Sequence, residues 1–415
     1  MPAPEQIIYD WNTEGLPRRV ERPFEVHDET LRDGIQCPSV TDPPVEAKLE
    51  ILHLVNSLGV ASSDLALPAA GERAYRDGLA LVQEIARHKL QIRPAMAGRT
   101  LVNDIRPIAD IAQKTGLPVE VMAFLGSSPI RAYAEAWELD RLLKLTAEAV
   151  EFGVKEGLPF NFVTEDTVRS LPTTLTRLFQ VAIDHGADRL TLCDTVGHAT
   201  PEGVHNLITF TRNFLRGLGV THVRVDWHGH NDRGLALPNA LAAVDAGVDR
   251  VHGTALGIGE RVGNTQLDQL LINLKLAGRW EPELTNLRRL SLKVSDACHF
   301  PIPRAYPAMG SDAFRTGTGV HAAAVIKAEK KGDTWLADRI YSGVPAAMFG
   351  LRQEIEIGHM SGESNVIYWL ERHEVKPDKD LVKAILTRAK ETNRVLETEE
   401  IFDLIRTLHH TTTPA

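Results

Sequence analysis

Short apolar, β-branched runs recur eight times along this 415-residue chain, and each is followed by a longer segment with helical spacing. The runs are 24–30, 61–67, 92–97, 119–125, 160–164, 189–194, 223–227 and 250–254. Between them lie segments such as VEAKLEILHLVNSLG and ELDRLLKLTAEAVEFGVKEG, with apolar residues three and four apart and glycine stops. Alternating strand and helix implies parallel pairing through crossover helices. Eight such units are the number that closes an α/β (β/α)8 TIM barrel; a doubly wound open sheet is the competing architecture.

Polar residues gather where the strands end: Asp28 and Arg32, Asp64, Arg99, Ser127 and Ser128, Glu165 and Asp166, Asp194, His228 and His230, and Thr254. The opposite strand ends read as carrying little of this kind. Chemistry in such barrels sits on the C-terminal face, so this asymmetry marks an active-site rim. After about residue 285 the rhythm stops. Residues 1–285 are therefore expected to form a TIM-barrel catalytic domain, and residues 286–415 a smaller, mainly helical accessory region.

A formal net charge of −9 and a pI of about 6.0 argue against nucleic acid or an anionic membrane as partner. Cys37, Cys193 and Cys298 are widely separated, as in a chain from a reducing compartment. The opening MPAPEQIIYDWNTEG lacks the pattern of a signal peptide, and no apolar run approaches the roughly 18 residues of a membrane span. A cytoplasmic location is expected.

The strongest chemical signal is VDWHGHNDRGLA. Histidines at i and i+2 on a strand share a face, so His228 and His230 can converge on one ion; a pair of hydrogen-bonded loop histidines is the plainer alternative. Asp28 from the first strand and Asn264 after the eighth add hard oxygen donors. Together they suit one divalent cation, of magnesium, manganese, zinc or cobalt. In HDETLRDGIQCPS, Asp28 and Glu29 point to opposite sides of the strand. Arg32 and Asp33 then open a loop that Gly34 lets turn sharply. Arg32 beside a cation can grip a carboxylate with two parallel hydrogen bonds, although an ordinary Arg32–Asp33 surface pair has the same sequence. The run GTALGIGERVGNT ends the barrel rather than opening a βαβ unit, so it reads as a tight loop carrying Asn264, not a dinucleotide site.

These segments resemble the metal-dependent condensing enzymes that include the 2-isopropylmalate, citramalate and homocitrate synthases. The matching stretches are DETLRDGIQ, SSPIR, EDTVRS, DTVGHATPEG, HGHNDRGLALPNALAAVDAG and GIGERVGNT, in order through the barrel, with TGVHAAAVIKA beyond it. The resemblance is nearest to 2-isopropylmalate synthase. It implies a divalent-metal-dependent acyltransferase of amino-acid biosynthesis that joins acetyl-CoA to a 2-oxo acid and then hydrolyses the thioester. It implies Asp28, His228, His230 and Asn264 as metal ligands, and Arg32 and Thr254 as holders of the 2-oxo acid carboxylate. Gln36, Ser128 and Glu165 would line the pocket, with Arg32, Asp33 and Glu165 in the catalytic set. His321 would help proton transfer, assisted by Tyr341. Family members form homodimers in which the segment after the barrel reaches the partner's site.

Several positions depart from the family pattern. SPIR stands where SPIH is common, so Arg131 is a contact for an acidic 2-oxo acid, a CoA-phosphate contact or a surface charge. Ile35, Asp64 and His198 also differ from the usual residues. The chain ends too soon after GESNV for a regulatory domain, so leucine feedback is not expected. These changes leave the 2-oxo acid open, including the homocitrate, citramalate and more unusual substrates. A metal-dependent acyl-CoA lyase or aldolase is one rival, but the glycine-rich loop after the last strand lacks a cysteine. A non-catalytic metabolite-binding barrel is another, and failure to bind a divalent cation would favour it.

Overall fold

The computed structural model describes residues 7–13 and 22–411. Contacts divide the chain into two compact units: Met1–Leu274 with Arg289–Phe300, and Lys275–Arg288 with Pro301–Ala415.

In the first unit eight parallel strands close a barrel in sequence order. They are β1 Glu25–Asp28, β2 Ser62–Asp64, β3 Arg93–Arg99, β4 Glu120–Gly126, β5 Phe160–Glu165, β6 Arg189–Asp194, β7 Arg224–Gly229 and β8 Arg250–Gly253. Closure comes from β1 against β8, with Glu25 opposite Arg250 and Asp28 opposite Gly253. The connecting helices are α1 Val45–Ser57, α2 Glu72–His88, α3 Val102–Thr115, α4 Pro129–Glu135, α5 Leu139–Lys155, α6 Pro172–Asp184, α7 Pro201–Gly217 and α8 Ala236–Asp245. Apart from the short α4, which buries no side chain, each buries one stripe: α3 turns Ile105, Ile108 and Ile111 inward, all fully buried. Burial of such a side chain contributes roughly 1.5–3 kcal/mol. Helix starts follow local chemistry. Thr200 caps α7, its hydroxyl accepting from Gly203 N at 3.3 Å, and Pro201 supplies the first helical residue, whose missing N–H costs nothing there.

The strand entrances are not bare, contrary to the sequence reading. Glu120, Arg189, Asp226 and Arg250 meet inside the barrel, where Asp226 accepts from Arg189 Nη1 at 2.6 Å and from Arg250 Nε at 2.8 Å. Arg250, fully buried, also reaches Glu120. A barrel interior must be filled, and this one fills its lowest layer with mutually satisfied charges. Above them lie Ala95, Met122, Val163 and Cys193.

The second unit holds β9 Arg315–Thr316 paired in parallel with β10 Glu354–Ile355. Its helices include Gly319–Lys330, Thr334–Ala337, Glu363–Arg372, Lys379–Lys390 and Thr398–Thr411. One core gathers Ile357, Val366, Leu370, Ile385 and Ile401, and a smaller one Ala322, Val325, Ile326 and Ile355. Among the described residues, no helix is long and apolar enough to cross a membrane.

Candidate active site

The C-terminal mouth of the barrel opens into a cavity of about 280 Å3. Its polar wall is Glu29, Arg32, Asp33, Gln36, Glu165, Thr191, Thr195, His228, His230 and Glu260. Its apolar wall is Leu67, Ala97, Met122, Phe124, Val163 and Cys193.

Three ligand atoms converge at one side. Asp33 Oδ2 lies 3.6 Å from His230 Nε2 and 3.9 Å from His228 Nε2. All three residues are buried, and their ligand atoms lie within 4.8 Å of one another. The turn after β1 brings Asp33 there: Arg32 N and Gly34 N both donate to Glu29 O, at 3.2 and 3.0 Å. Arg32 Nη1 holds Asp33 Oδ1 at 2.8 Å, which leaves Oδ2 free. Among the described residues Asp33 Oδ2 and Asn264 Oδ1 are buried with no hydrogen-bond partner. An unpartnered carboxylate oxygen facing two imidazoles, with a second unpartnered oxygen on Asn264, the backbone-bridge partner of His230, fits a divalent cation, because buried oxygens otherwise find donors.

Glu29 orients the first imidazole. His228 Nδ1 pairs with Glu29 Oε2 at 2.6 Å, so its Nε2 faces Asp33. His252 Nδ1 pairs with the other oxygen at 3.1 Å, and His252 Nε2 reaches Asp226 at 3.3 Å. A chain of buried polar groups thus runs from the barrel floor to the site, the usual support for a ligating histidine. Burial alone would raise the Glu29 carboxyl, but His228 and His252 override it and hold it well below the ordinary range. Burial and the neighbouring His228 push His230 down to about 4, so at neutral pH it is an uncharged imidazole with a lone pair to offer.

Asn264 arrives on a loop that only glycine can build. Gly257, Gly259 and Gly263 have φ of 66°, 154° and 92°. A Cβ on Gly263 would strike the Gly257 carbonyl oxygen, and one on Gly259 the Asn264 amide. Gly263→Ala is therefore expected to weaken divalent-cation binding at least tenfold and to lower the Tm. Gly203→Ala, on α7 with no neighbour nearer than 3.7 Å, should leave both unchanged or raise the Tm slightly. Equilibrium dialysis and calorimetry check both; equal behaviour of the two variants would remove the loop from the account.

The structure gathers Arg32, Asp33, Gln36, Glu165, His228 and His230 around the cavity, with Asn264 beside His230 through a backbone bridge. Asp28 is not brought to the histidines. Its Oδ2 accepts from Ser63 Oγ at 2.8 Å, and its Oδ1 from the backbone N–H and the hydroxyl of Thr30. Asp33 stands in the place the sequence reading gave to Asp28. Thr254 is buried behind the wall, donating its hydroxyl to Ile258 O at 2.7 Å. Ser128 caps α4, where Arg131 N donates to its hydroxyl at 3.3 Å. Arg131 pairs with Glu135 at 2.9 Å and lies 3.5 Å from Glu165, with its guanidinium over the Trp137 ring. Burial raises the Glu165 carboxyl above its usual range, against the pull of Arg131. His321 and Tyr341 stack at 4.2 Å in the second unit.

Glu29 as the partner of His228 escaped the sequence reading. Its opposite facing from Asp28 was the available signal. The hydroxyls of Thr191 and Thr195 and the apolar wall were also missed, because no motif marks them.

Residues 24–294 match the family model described as HMGL-like. The chain is 32% identical to the homocitrate synthase AksA of Methanopyrus kandleri, over 90% of this chain and 89% of that protein. It is 31% identical to a probable 2-isopropylmalate synthase of Ignicoccus hospitalis, over 91% and 88%. Among solved structures, the hydroxymethylglutaryl-CoA lyase of Pseudomonas aeruginosa superposes with a TM-score of 0.55 at 17% identity, covering 68% of this chain and 93% of that one.

Proposed function

This chain belongs to the HMGL-like family, together with homocitrate and 2-isopropylmalate synthases, and from that premise we propose that it condenses an acyl-CoA with a 2-oxo acid whose side chain is apolar. The cavity carries the second half of this reading. Among the described residues Arg32 is the one cationic residue of its wall apart from the histidines, against the carboxylates Glu29, Asp33, Glu165 and Glu260. A 2-oxo acid with a second carboxylate would bury that charge without a cation to meet it, a desolvation cost of several kcal/mol. The wall of Leu67, Ala97, Met122, Phe124 and Val163 instead suits an aliphatic or aromatic group.

Asp33, His228, His230 and Asn264 would hold the divalent cation, which when bound supplies Lewis-acid polarisation of the ketone. Arg32 is fixed by Asp64 at 2.6 Å and Asp33 at 2.8 Å, while among the described residues its Nη2 has only Glu29, at 3.4 Å. That nitrogen remains to grip the substrate carboxylate. Glu29 keeps His228 in one tautomer, and Gln36 offers an amide at the cavity wall. For removal of the acyl α-proton we assign His321, stacked on Tyr341. The resulting carbanion attacks the ketone carbon, and Glu165, with its raised pKa, carries a proton at the wall. Water then cleaves the thioester, giving a 2-hydroxy diacid and free CoA. Homodimerisation, with acetyl-CoA as acyl donor, belongs to the same reading and rests on the family resemblance.

Thiol release from acetyl-CoA across a panel of 2-oxo acids tests this. With a divalent cation present, 2-oxoisovalerate, 2-oxoisocaproate or phenylpyruvate should give kcat/KM at least 100-fold above 2-oxoglutarate and oxaloacetate. Chelator should abolish release. A preference for 2-oxoglutarate would overturn the apolar assignment and bring Arg131 into the pocket chemistry. Release with no acid at all would overturn the condensation itself.

A further inference from the structure

We propose that the outer wall of the barrel carries a second cation site, made by His53 of α1 with Glu84 and His88 of α2, which takes a transition-metal ion of the zinc class. It is separate from the site in the barrel mouth and does not depend on the proposed reaction.

The geometry is that of a chelate. His53 Nε2 lies 2.7 Å from Glu84 Oε1, and His88 Nε2 lies 3.3 Å from the same oxygen. The three ligand atoms fall within 4.8 Å of one another. An ion held at about 2.1 Å by each ligand leaves neighbouring ligand atoms roughly 3.0–3.4 Å apart. Side-chain rotations of a few tenths of an ångström up to about 1 Å would therefore close the site. The two rings stand edge to face, centroids 5.3 Å apart and planes at 81°, so their nitrogens approach one point from different directions.

The backbone holds these groups in place. Glu84 and His88 are one turn apart on α2 and share a face. Beneath them α2 buries Leu81, Val82 and Ile85, while α1 buries Ile51, Leu52 and Val55 below His53. The ligands therefore stand on two helices fixed by the core. His53 and His88 are 39% and 46% exposed, so an ion can enter and water can complete its coordination.

The donor set decides the ion. Two imidazole nitrogens and one carboxylate oxygen favour zinc, nickel, copper or cobalt over magnesium and calcium, which prefer all-oxygen sites. The same atoms could instead form an ion pair between Glu84 and protonated histidines. That arrangement needs no metal, and the experiment separates the two. A bound ion would link α1 to α2 and stabilise the folded chain in proportion to its occupancy.

Zinc stoichiometry at neutral pH decides between them, measured on the full chain by native mass spectrometry and titration calorimetry after chelator stripping. The parent should bind one zinc more than the His53→Ala/His88→Ala double variant, with micromolar affinity that tenfold excess magnesium does not displace. Zinc should raise the Tm of the parent by several degrees more than that of the double variant. Glu84→Gln keeps side-chain size and should weaken this one equivalent at least tenfold. An Asp33→Asn/His230→Ala variant should retain it, which separates this site from the barrel mouth. Equal zinc stoichiometry in parent and double variant, or a parent equivalent displaced by magnesium, overturns the proposal.

Discussion

Asp33→Asn is expected to lower the affinity for a divalent cation at least 100-fold, about 3 kcal/mol, and to abolish condensation. Asn keeps the size of Asp but removes the charge, and the free Oδ2 is the atom that faces both imidazoles. Arg32 would lose one of its two short carboxylate contacts at the same time. Asp28→Asn is expected to retain the cation within a few-fold. The Asp28 carboxyl is already engaged by Thr30 and Ser63, and an asparagine can keep the Thr30 contacts while its amide donates to the Ser63 hydroxyl. Equilibrium dialysis of the two variants against manganese compares them directly. Loss of the ion from Asp28→Asn and its retention by Asp33→Asn would reverse the ligand assignment.

The contrast between these two aspartates shows where sequence reading runs out. The eight strands were legible because parallel barrel strands are short, apolar and buried on both faces, while each following helix exposes one side. His228 and His230 were legible because period two puts them on one face. Asp33 lies beyond the strand end, where no period applies. Its direction depends on a turn in which Glu29 O accepts two backbone N–H groups. Thr254 likewise lies just past β8, where no period predicts that its hydroxyl donates to Ile258 O four residues on. The charges at the strand entrances were present in the sequence. Their mutual pairing was not, since Glu120, Arg189, Asp226 and Arg250 come from four strands whose rotation about the barrel axis is set by closure.

That buried network makes Asp226→Ala the substitution with the largest expected effect on stability. Asp226 is fully buried on β7, and its two oxygens serve Arg189, Arg250 and His252. Burial alone would raise its carboxyl, but the two guanidiniums override that and hold it far below the usual range. Its contribution is therefore complete above about pH 4 and shrinks as the pH falls below that value. Alanine would leave Arg250 with Glu120 and Ser62 as its remaining partners and Arg189 without its shortest contact. Removing one member of such a buried group costs about 3–5 kcal/mol, because a charge stays in the interior uncompensated. Glu25→Ala supplies the comparison. Glu25 is 27% exposed and pairs at 2.5 Å with the half-exposed Arg93. Its loss should cost about 1 kcal/mol or less. Urea unfolding of the two variants, followed by tryptophan fluorescence, separates these values: Trp227 lies on β7 next to Asp226 and is fully buried. Asp226→Ala should also weaken cation binding, since His252, Glu29 and His228 hang from it in turn. A variant that unfolds within 1 kcal/mol of the parent and binds the cation unchanged would mean that neither stability nor the site depends on this network.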